Sequence, residues 1–429
     1  MRTLSRAVLA LLAFLTLAAL AAPAAAAQGQ GESVRGTLIA QVEGEEEPVP
    51  VEGVVLIASQ DGDEVGSATS GSDGTWEIEL PGPGQYDVRL DVDSLPEGVE
   101  PRDPDRVELT GINVLSGQSR PVAFPLGEGR AFESSTLFEV LSLFVVGLKL
   151  GAIIALSAIG LSLIFSVTGL VNFAHAELVT IGAVVAYVFH AMGPQWPLPV
   201  AFIPAILVGA ALGWGQEKGI WQPLRKRRMN LLTMLVVSIG LSFALRFLVL
   251  VFFGGRPRAY PGYATQGAID VFGITVVPKH LVTIGIALVL LAAVGLFLQR
   301  TQAGTALRAV RDNRDLSESS GINVQRIIAL TWVIGGALAA IGGVFIGLTE
   351  SVQWDVGFRL LLLMFAAVIL GGIGTAYGTM IGAFIVGIAV EMSVLWVPTE
   401  LKNSVGLLVL IVMLIFRPQG LLGTKERIS

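Results

Sequence analysis

The chain has 429 residues, of which 53% are hydrophobic and 14% charged, with a net charge of −6 and a mean hydropathy of +0.71. This composition excludes an ordinary soluble domain and marks a membrane protein. The absence of cysteine excludes disulfides, thiolate nucleophiles and cysteine-based metal sites.

Residues 1–27 begin with Arg2 and Arg6, continue through an apolar stretch and end in Ala25-x-Ala27, the layout of a secretory signal peptide. An uncleaved first membrane helix is the alternative, and both readings send the next segment out of the cytoplasm. After a short linker at 28–33, residues 34–126 break into short alternating runs such as "VRGTLIAQV", "TWEIEL" and "QYDVRLDV", punctuated by Gly, Asp and Pro. They predict a small all-β sandwich. Its acidic "DGDE" reads as a solvated hairpin tip and not as a metal site. A second linker, 127–136, leads into a region that is apolar to the end.

Residues 28–136 hold 22 acidic against 6 basic residues, and residues 137–429 hold 12 against 20, so two different parts have been joined. Within 137–429 the apolar stretches predict about nine transmembrane helices, at 138–166, 173–192, 199–217, 231–253, 281–298, 327–348, 358–372, 377–396 and 403–416. The stretches 358–372 and 403–416 are the shortest. Starting outside, this count puts three basic segments on the cytoplasmic side, with 13 Lys and Arg against 5 in the outer loops, in accord with the signal peptide. Glycines at close-packing spacing (Gly147 and Gly151, Gly343 and Gly347, Gly378 and Gly382) predict tight contacts between helices.

Ionisable groups within spans are costly and normally face the bundle interior or a wet cavity. Lys149, Arg246 and Glu391 fall inside predicted spans, Lys149 close enough to the outer interface to snorkel. "VNFAHAELV" sets Asn172, His175 and Glu177 at the start of the second span, where capping and the helix dipole explain one polar residue well. Three together suggest a broken helix bordering a substrate pathway. The glycines Gly371, Gly372 and Gly374 mark a second break. None of these groups reads as catalytic. His175, His190 and His280 lack HExxH spacing, and there is neither a phosphate-binding GxxxxGK loop nor a GxSxG elbow, so the chain reads as neither an enzyme nor a cofactor binder.

Two resemblances add to this. The run from "PVEGVVLIAS" to "QYDVRL" resembles the carboxypeptidase regulatory-like and related Ig-like sandwiches. "GLSLIFSVTGLVNFAHAELVTIGAVVAY", "GTALRAVRDNRDLSESSGINVQRIIALTWVIGGALAAIGGVF" and "LGGIGTAYGTMIGAFIVGIAVE" resemble the three signature blocks of LivH-type permease subunits of branched-chain amino acid ABC importers. The second resemblance covers 137–429. It implies a translocation pore shared with a second homologous permease subunit in the cell membrane, cytoplasmic ABC ATPase subunits that bind the ATP, and an extracytoplasmic solute-binding protein. It also implies that Arg308, Arg311, Asp312, Arg314, Gly321 and Ile322 belong to the cytoplasmic segment that docks on the ATPase, and that no nucleic acid is involved.

The chain departs from the usual family pattern at Ser319 and Ser320, which implies a less hydrophobic docking on the ATPase, and at Ala176, Leu363 and Tyr377, which touch the expected pathway and leave the substrate open. The expected function is inward transport of branched-chain or other hydrophobic amino acids. A urea or short-amide permease, an ion-coupled carrier using Glu391, and a membrane-anchored receptor are the alternatives.

Overall fold

A computed structural model describes residues 32–41, 49–60, 62–96, 98–101, 107–114, 119–124, 126–127, 136–263, 266, 269–271, 274–417 and 419–423. The expected signal peptide, most of both linkers and the Asp61 end of the acidic tip lie outside the described residues. The described strands up to residue 127 and the helices from Thr136 onward belong to two separate compact units.

In the first unit, β4 (Val55–Gln60) pairs antiparallel with β5 (Asp63–Thr69) and with β7 (Gly84–Leu90), which pairs with β8 (Glu108–Val114). A second sheet places β1 (Ser33–Thr37) between β6 (Thr75–Glu79) and β9 (Ser119–Pro121). A third places β2 (Ile39–Gln41) between β3 (Val49–Pro50) and β10 (Leu126–Gly127). The burial of β6 alternates residue by residue, with Trp76 and Ile78 inward and Thr75, Glu77 and Glu79 outward, as a half-buried strand requires. Trp76, Tyr86, Leu56, Val88 and Leu90 share one core. Tyr86 ties the end of β7 to the preceding turn, its hydroxyl donating to Gly82 O at 2.6 Å. Asp73 accepts from the Thr75 hydroxyl at 2.6 Å and from its amide at 3.0 Å, bonds that hold its carboxyl below the usual range.

The second unit is a helical bundle. Its elements are α1 (Thr136–Thr168), α2 (His175–Tyr187), α3 (Leu198–Gln216), α4 (Gln222–Lys226), α5 (Leu231–Phe253), α6 (Pro278–Arg300), α7 (Gln302–Asp312), α8 (Arg314–Ser319), α9 (Val324–Thr349), α10 (Val356–Gly371), α11 (Ala376–Met392) and α12 (Lys402–Phe416). A hairpin of β11 (Ile269–Val271) and β12 (Ile274–Val276) lies between α5 and α6. Among the described residues seven helices are long and apolar enough to cross a membrane, and α10 and α12 are shorter apolar helices. These two occupy the two shortest of the nine expected spans. This is a multi-pass membrane protein.

Small residues set the packing, because apolar helices gain little from hiding apolar surface in lipid and rely on close backbone approach. A Cβ at Gly343 of α9 would lie 1.9 Å from Val179 O of α2, and one at Gly336 would lie 2.2 Å from Gly209 O of α3. Gly147 and Gly151 of α1 meet α11 at Gly387, Ile388 and Phe384 in the same way. Helix α5 differs. Its buried residues are Met234, Ser238, Ser242, Arg246 and Phe253, so three of the residues that seat it on the bundle are polar and repeat every fourth position.

Candidate functional site

Helix α1 runs to Thr168, and the next helix begins at His175. The ring of His175 meets α1 at Ser157, its Nε2 lying 3.0 Å from Ser157 O. The stretch from Ser157 to Thr168 measures about 16 Å at the helical rise of 1.5 Å per residue, roughly half of a hydrocarbon core about 30 Å thick. Residues 169–174 climb back along the bundle without helical structure, so α2 starts about half a hydrocarbon thickness back from the end of α1. Sequence reasoning offers two readings of this start, a helix capped where the chain re-enters the membrane and a broken helix. Gly169, whose φ is 66°, turns the chain back immediately after α1.

Non-helical backbone at this depth needs partners. Leu170 N donates to Thr168 Oγ1 at 3.1 Å, Phe173 N to Ser238 Oγ of α5 at 3.2 Å, and Ala174 N to Asn172 Oδ1 at 3.1 Å. Asn172 therefore braces the turn before the helix. It does not cap α2, whose N-cap position is Ala174 and has no side-chain capping bond. His175 sits where α1 and α9 close on each other, its Cε1 3.0 Å from where a Cβ on Gly160 would stand. Asn172 Nδ2, His175 Nδ1 and Glu177 Oε2 are buried and find no hydrogen-bond partner among the described residues.

Glu177, fully buried in the first turn of α2, faces α5. Its Oε1 accepts from Ser242 Oγ at 2.9 Å and from Nε and Nη2 of Arg246, both at 3.1 Å. The Arg246 guanidinium lies over the ring of Phe358 with its Cζ 3.6 Å from the centroid. The ionisable Arg246 seen in the sequence thus meets the polar cluster at the helix break, a pairing that no local motif announces. The four-residue spacing of Ser238, Ser242 and Arg246 in an otherwise apolar helix was the available signal.

The other expected residues lie elsewhere. Gly371, Gly372 and Gly374 form the turn between α10 and α11. Gly372 (φ 108°) and Gly374 (φ 79°) require the left-handed region. The C-terminal segment covers this turn, with Leu421 N donating to Leu370 O at 2.8 Å and Leu422 N to Gly371 O at 3.0 Å. Glu391 is at the opposite end of α11, where both its oxygens accept from Lys402 Nζ at 3.0 and 3.1 Å. A small cleft beside the glycine turn is lined by Ser166, Arg308, Arg311, Gly374 and Tyr377. Tyr377 donates to Gly295 O at 2.9 Å and fastens α11 to α6.

In the expected coupling segment Arg308 is half-buried and bonds Leu298 O at the end of α6. Arg311 pairs with Asp312 at 2.8 Å, and Arg314 and Leu316 are exposed. Gly321, with φ 83°, turns the chain into α9, while Ile322 packs on the core. Sequence reasoning did not find the cluster around the π-helical turn Glu217–Trp221, where buried Glu217 pairs with Arg225 and Trp221 stacks on Trp332. Among the described residues no group of three His, Asp or Glu side chains could hold a metal ion.

Closely packed membrane helices, one of them broken beside a buried ion pair, define a polytopic membrane protein built as transporters are. Residues 143–416 match the family described as branched-chain amino acid transport system / permease component, and the chain belongs to that family. It is 35% identical over 292 residues to the high-affinity branched-chain amino acid transport system permease protein LivH of Salmonella typhimurium, and to the same extent to LivH of Escherichia coli. The aligned region covers 65% of this chain and 94% of each relative. The corresponding permease protein BraD of Pseudomonas aeruginosa is 32% identical over 302 residues, 68% of this chain and 98% of the relative.

Proposed function

We propose that this chain is a membrane permease subunit of an ABC importer that carries branched-chain or other hydrophobic amino acids inward, using ATP hydrolysed by separate subunits. The observation that carries the reading is the break at 169–174, in a member of this permease family, which sets Asn172, His175 and Glu177 about half a hydrocarbon thickness back from the end of α1. The route passes this cluster. Gly371, Gly372 and Gly374 shape its cytoplasmic end, and Glu391 lies toward the outer end.

The distribution of basic residues supports an orientation in which the bundle end carrying α7, α8 and the C-terminal segment faces the cytoplasm and the 34–126 region is extracytoplasmic, behind a signal peptide. Arg311, Asp312, Arg314, Gly321 and Ile322 belong to the elbow that meets an ATPase subunit, and Arg308 braces that elbow from within. A second permease subunit completes the pore, and an extracytoplasmic binding protein delivers the solute. A proton-coupled carrier built on Glu391 fits less well, since Lys402 already holds that carboxylate.

The test is uptake of radiolabelled leucine by cells with and without the gene, competed by unlabelled leucine and by urea. Loss of leucine uptake in the deletion, competed by leucine and not by urea, is the expected result. Unchanged leucine uptake in the deletion overturns the reading. Transport by the isolated chain in liposomes under a pH gradient, without nucleotide, would point to the ion-coupled carrier instead.

A further inference from the structure

Of Glu177's two carboxylate oxygens, Oε1 takes all three hydrogen bonds described for the group, while Oε2 is buried with none. Of Arg246's three nitrogens, Nε and Nη2 serve Glu177 and Ser242, and Nη1 makes no hydrogen bond among the described residues. A buried ion pair is favourable only when its remaining lone pairs and protons are also satisfied. The Glu177 side of this pair is one buried acceptor short, and Nη1 is the nitrogen of Arg246 left to meet a partner.

The wall beside it is aromatic. Phe358 covers the guanidinium at 3.6 Å and Phe243 stands 5.2 Å from it. Phe247 stacks between Phe243 and Trp354 with ring centroids 6.3 and 6.1 Å away. Phe243, Phe247 and Phe358 are exposed on this chain at 47%, 51% and 37%. One layer of rings therefore separates a half-satisfied ion pair from the outside of the subunit.

We propose that the Glu177–Arg246 pair and its aromatic wall form a recognition site for the zwitterionic head of an α-amino acid. This deepens the proposed function and rests on it. The free Nη1 of Arg246 can donate a charge-assisted hydrogen bond to a carboxylate, and the spare Oε2 of Glu177 suits an ammonium group. The two charges of the pair match the two charges that every α-amino acid carries next to one another. The solute's apolar side chain lies along Phe247 and Phe358. A neutral solute such as urea can meet the spare donor and acceptor only through weaker, uncharged hydrogen bonds, and a singly charged one makes a charge-assisted bond to only one of them.

The experiment uses the assembled importer in proteoliposomes, with its second permease, ATPase subunits and binding protein. The chain has no cysteine, so Phe247→Cys and Phe358→Cys each give it a single thiol. In the nucleotide-free importer a small charged methanethiosulfonate should label these positions. Millimolar leucine should slow the labelling, and leucinamide and isovalerate, which lack the carboxylate and the ammonium group, should not. No labelling at either position, or equal slowing by all three compounds, overturns the proposal.

Uptake provides the second arm. Glu177→Gln, Arg246→Lys and the double variant Glu177→Gln/Arg246→Gln should each lower the maximal rate about ten-fold or more at unchanged importer amount, with KM, set upstream by the binding protein, unmoved. A purely structural pair predicts recovery in the neutral double variant, and recovery to within about two-fold of wild type overturns the proposal. Failure of the wild-type importer to move leucine would sink the proposed function itself. Leucine transport that is indifferent to these variants would sink this inference alone.

Discussion

Gly357, in the first turn of α10, stands against the carbonyl of Ala176, so close that a Cβ on it would lie 1.9 Å from that oxygen. Its amide donates to Thr180 Oγ1 at 3.0 Å. The broken helix and the start of α10 are thus locked together one turn from Glu177 and beside Phe358. Replacing Gly357 by Ala forces the two helices apart, and overpacking of this kind costs about 1–3 kcal/mol. The Gly357→Ala protein should melt several degrees lower in detergent and accumulate less in membranes. Gly285→Ala, where the added carbon meets nothing within 4 Å, should behave as wild type.

The arginine-rich elbow offers a separation of roles. Arg308 reaches back to Leu298 O and Thr305 Oγ1, so it caps the end of α6 and fixes the angle of α7. Leu316, by contrast, is 64% exposed on α8 and contributes little to this chain's own core. Arg308→Ala should therefore lower thermal stability by about 1 kcal/mol through the lost carbonyl partner. Leu316→Asp should leave melting unchanged while ATPase subunits no longer co-purify. Retention of the ATPase by Leu316→Asp would show that α8 is not the docking surface.

Much of the fold was legible in the sequence because its signals are local. Apolar stretches marked the helices, alternating runs marked the strands, and Gly147, Gly151, Gly378 and Gly382 announced close packing. What each glycine faces was not legible, since Gly151 meeting Phe384 and Gly378 meeting Gly371 depend on how distant helices are arranged. The site divides the same way. Asn172, His175 and Glu177 stood out as polar residues in an apolar run, and Arg246 as a charge inside a span. Their union, and the set-back start of α2, depend on a turn at Gly169 whose consequence is set by tertiary packing. The glycines at 371–374 marked a break in sequence, and that the C-terminal segment covers it depends on contacts between distant residues.

In the β-unit the Tyr86 hydroxyl ties the strand to Gly82 O at 2.6 Å, with its ring 1% exposed in the core. Tyr86→Phe keeps the packing and removes the bond, leaving a carbonyl short of a partner at a cost of about 1 kcal/mol. The excised unit, if it folds alone, and otherwise the full chain followed by limited proteolysis within 34–126, should show that loss. Leucine uptake should be unchanged, since Tyr86 belongs to the core of the β-unit.

Ser238 carries the last prediction. Its hydroxyl accepts from Phe173 N at 3.2 Å and donates to Leu235 O at 2.7 Å, so it is a clip between α5 and the non-helical segment before α2. Ser238→Ala leaves the Phe173 amide without that acceptor at a depth where water is scarce, which costs about 1–3 kcal/mol. The segment 169–174 should then exchange its amide hydrogens faster, while α9, which makes no use of Ser238, keeps its protection. Leucine uptake should fall without loss of importer from the membrane, because the clip holds the backbone from which Glu177 reaches Arg246. Hydrogen exchange by mass spectrometry on the reconstituted importer checks this. Equal exchange at 169–174 in wild type and variant would mean that Asn172 and Gly169 alone hold the break.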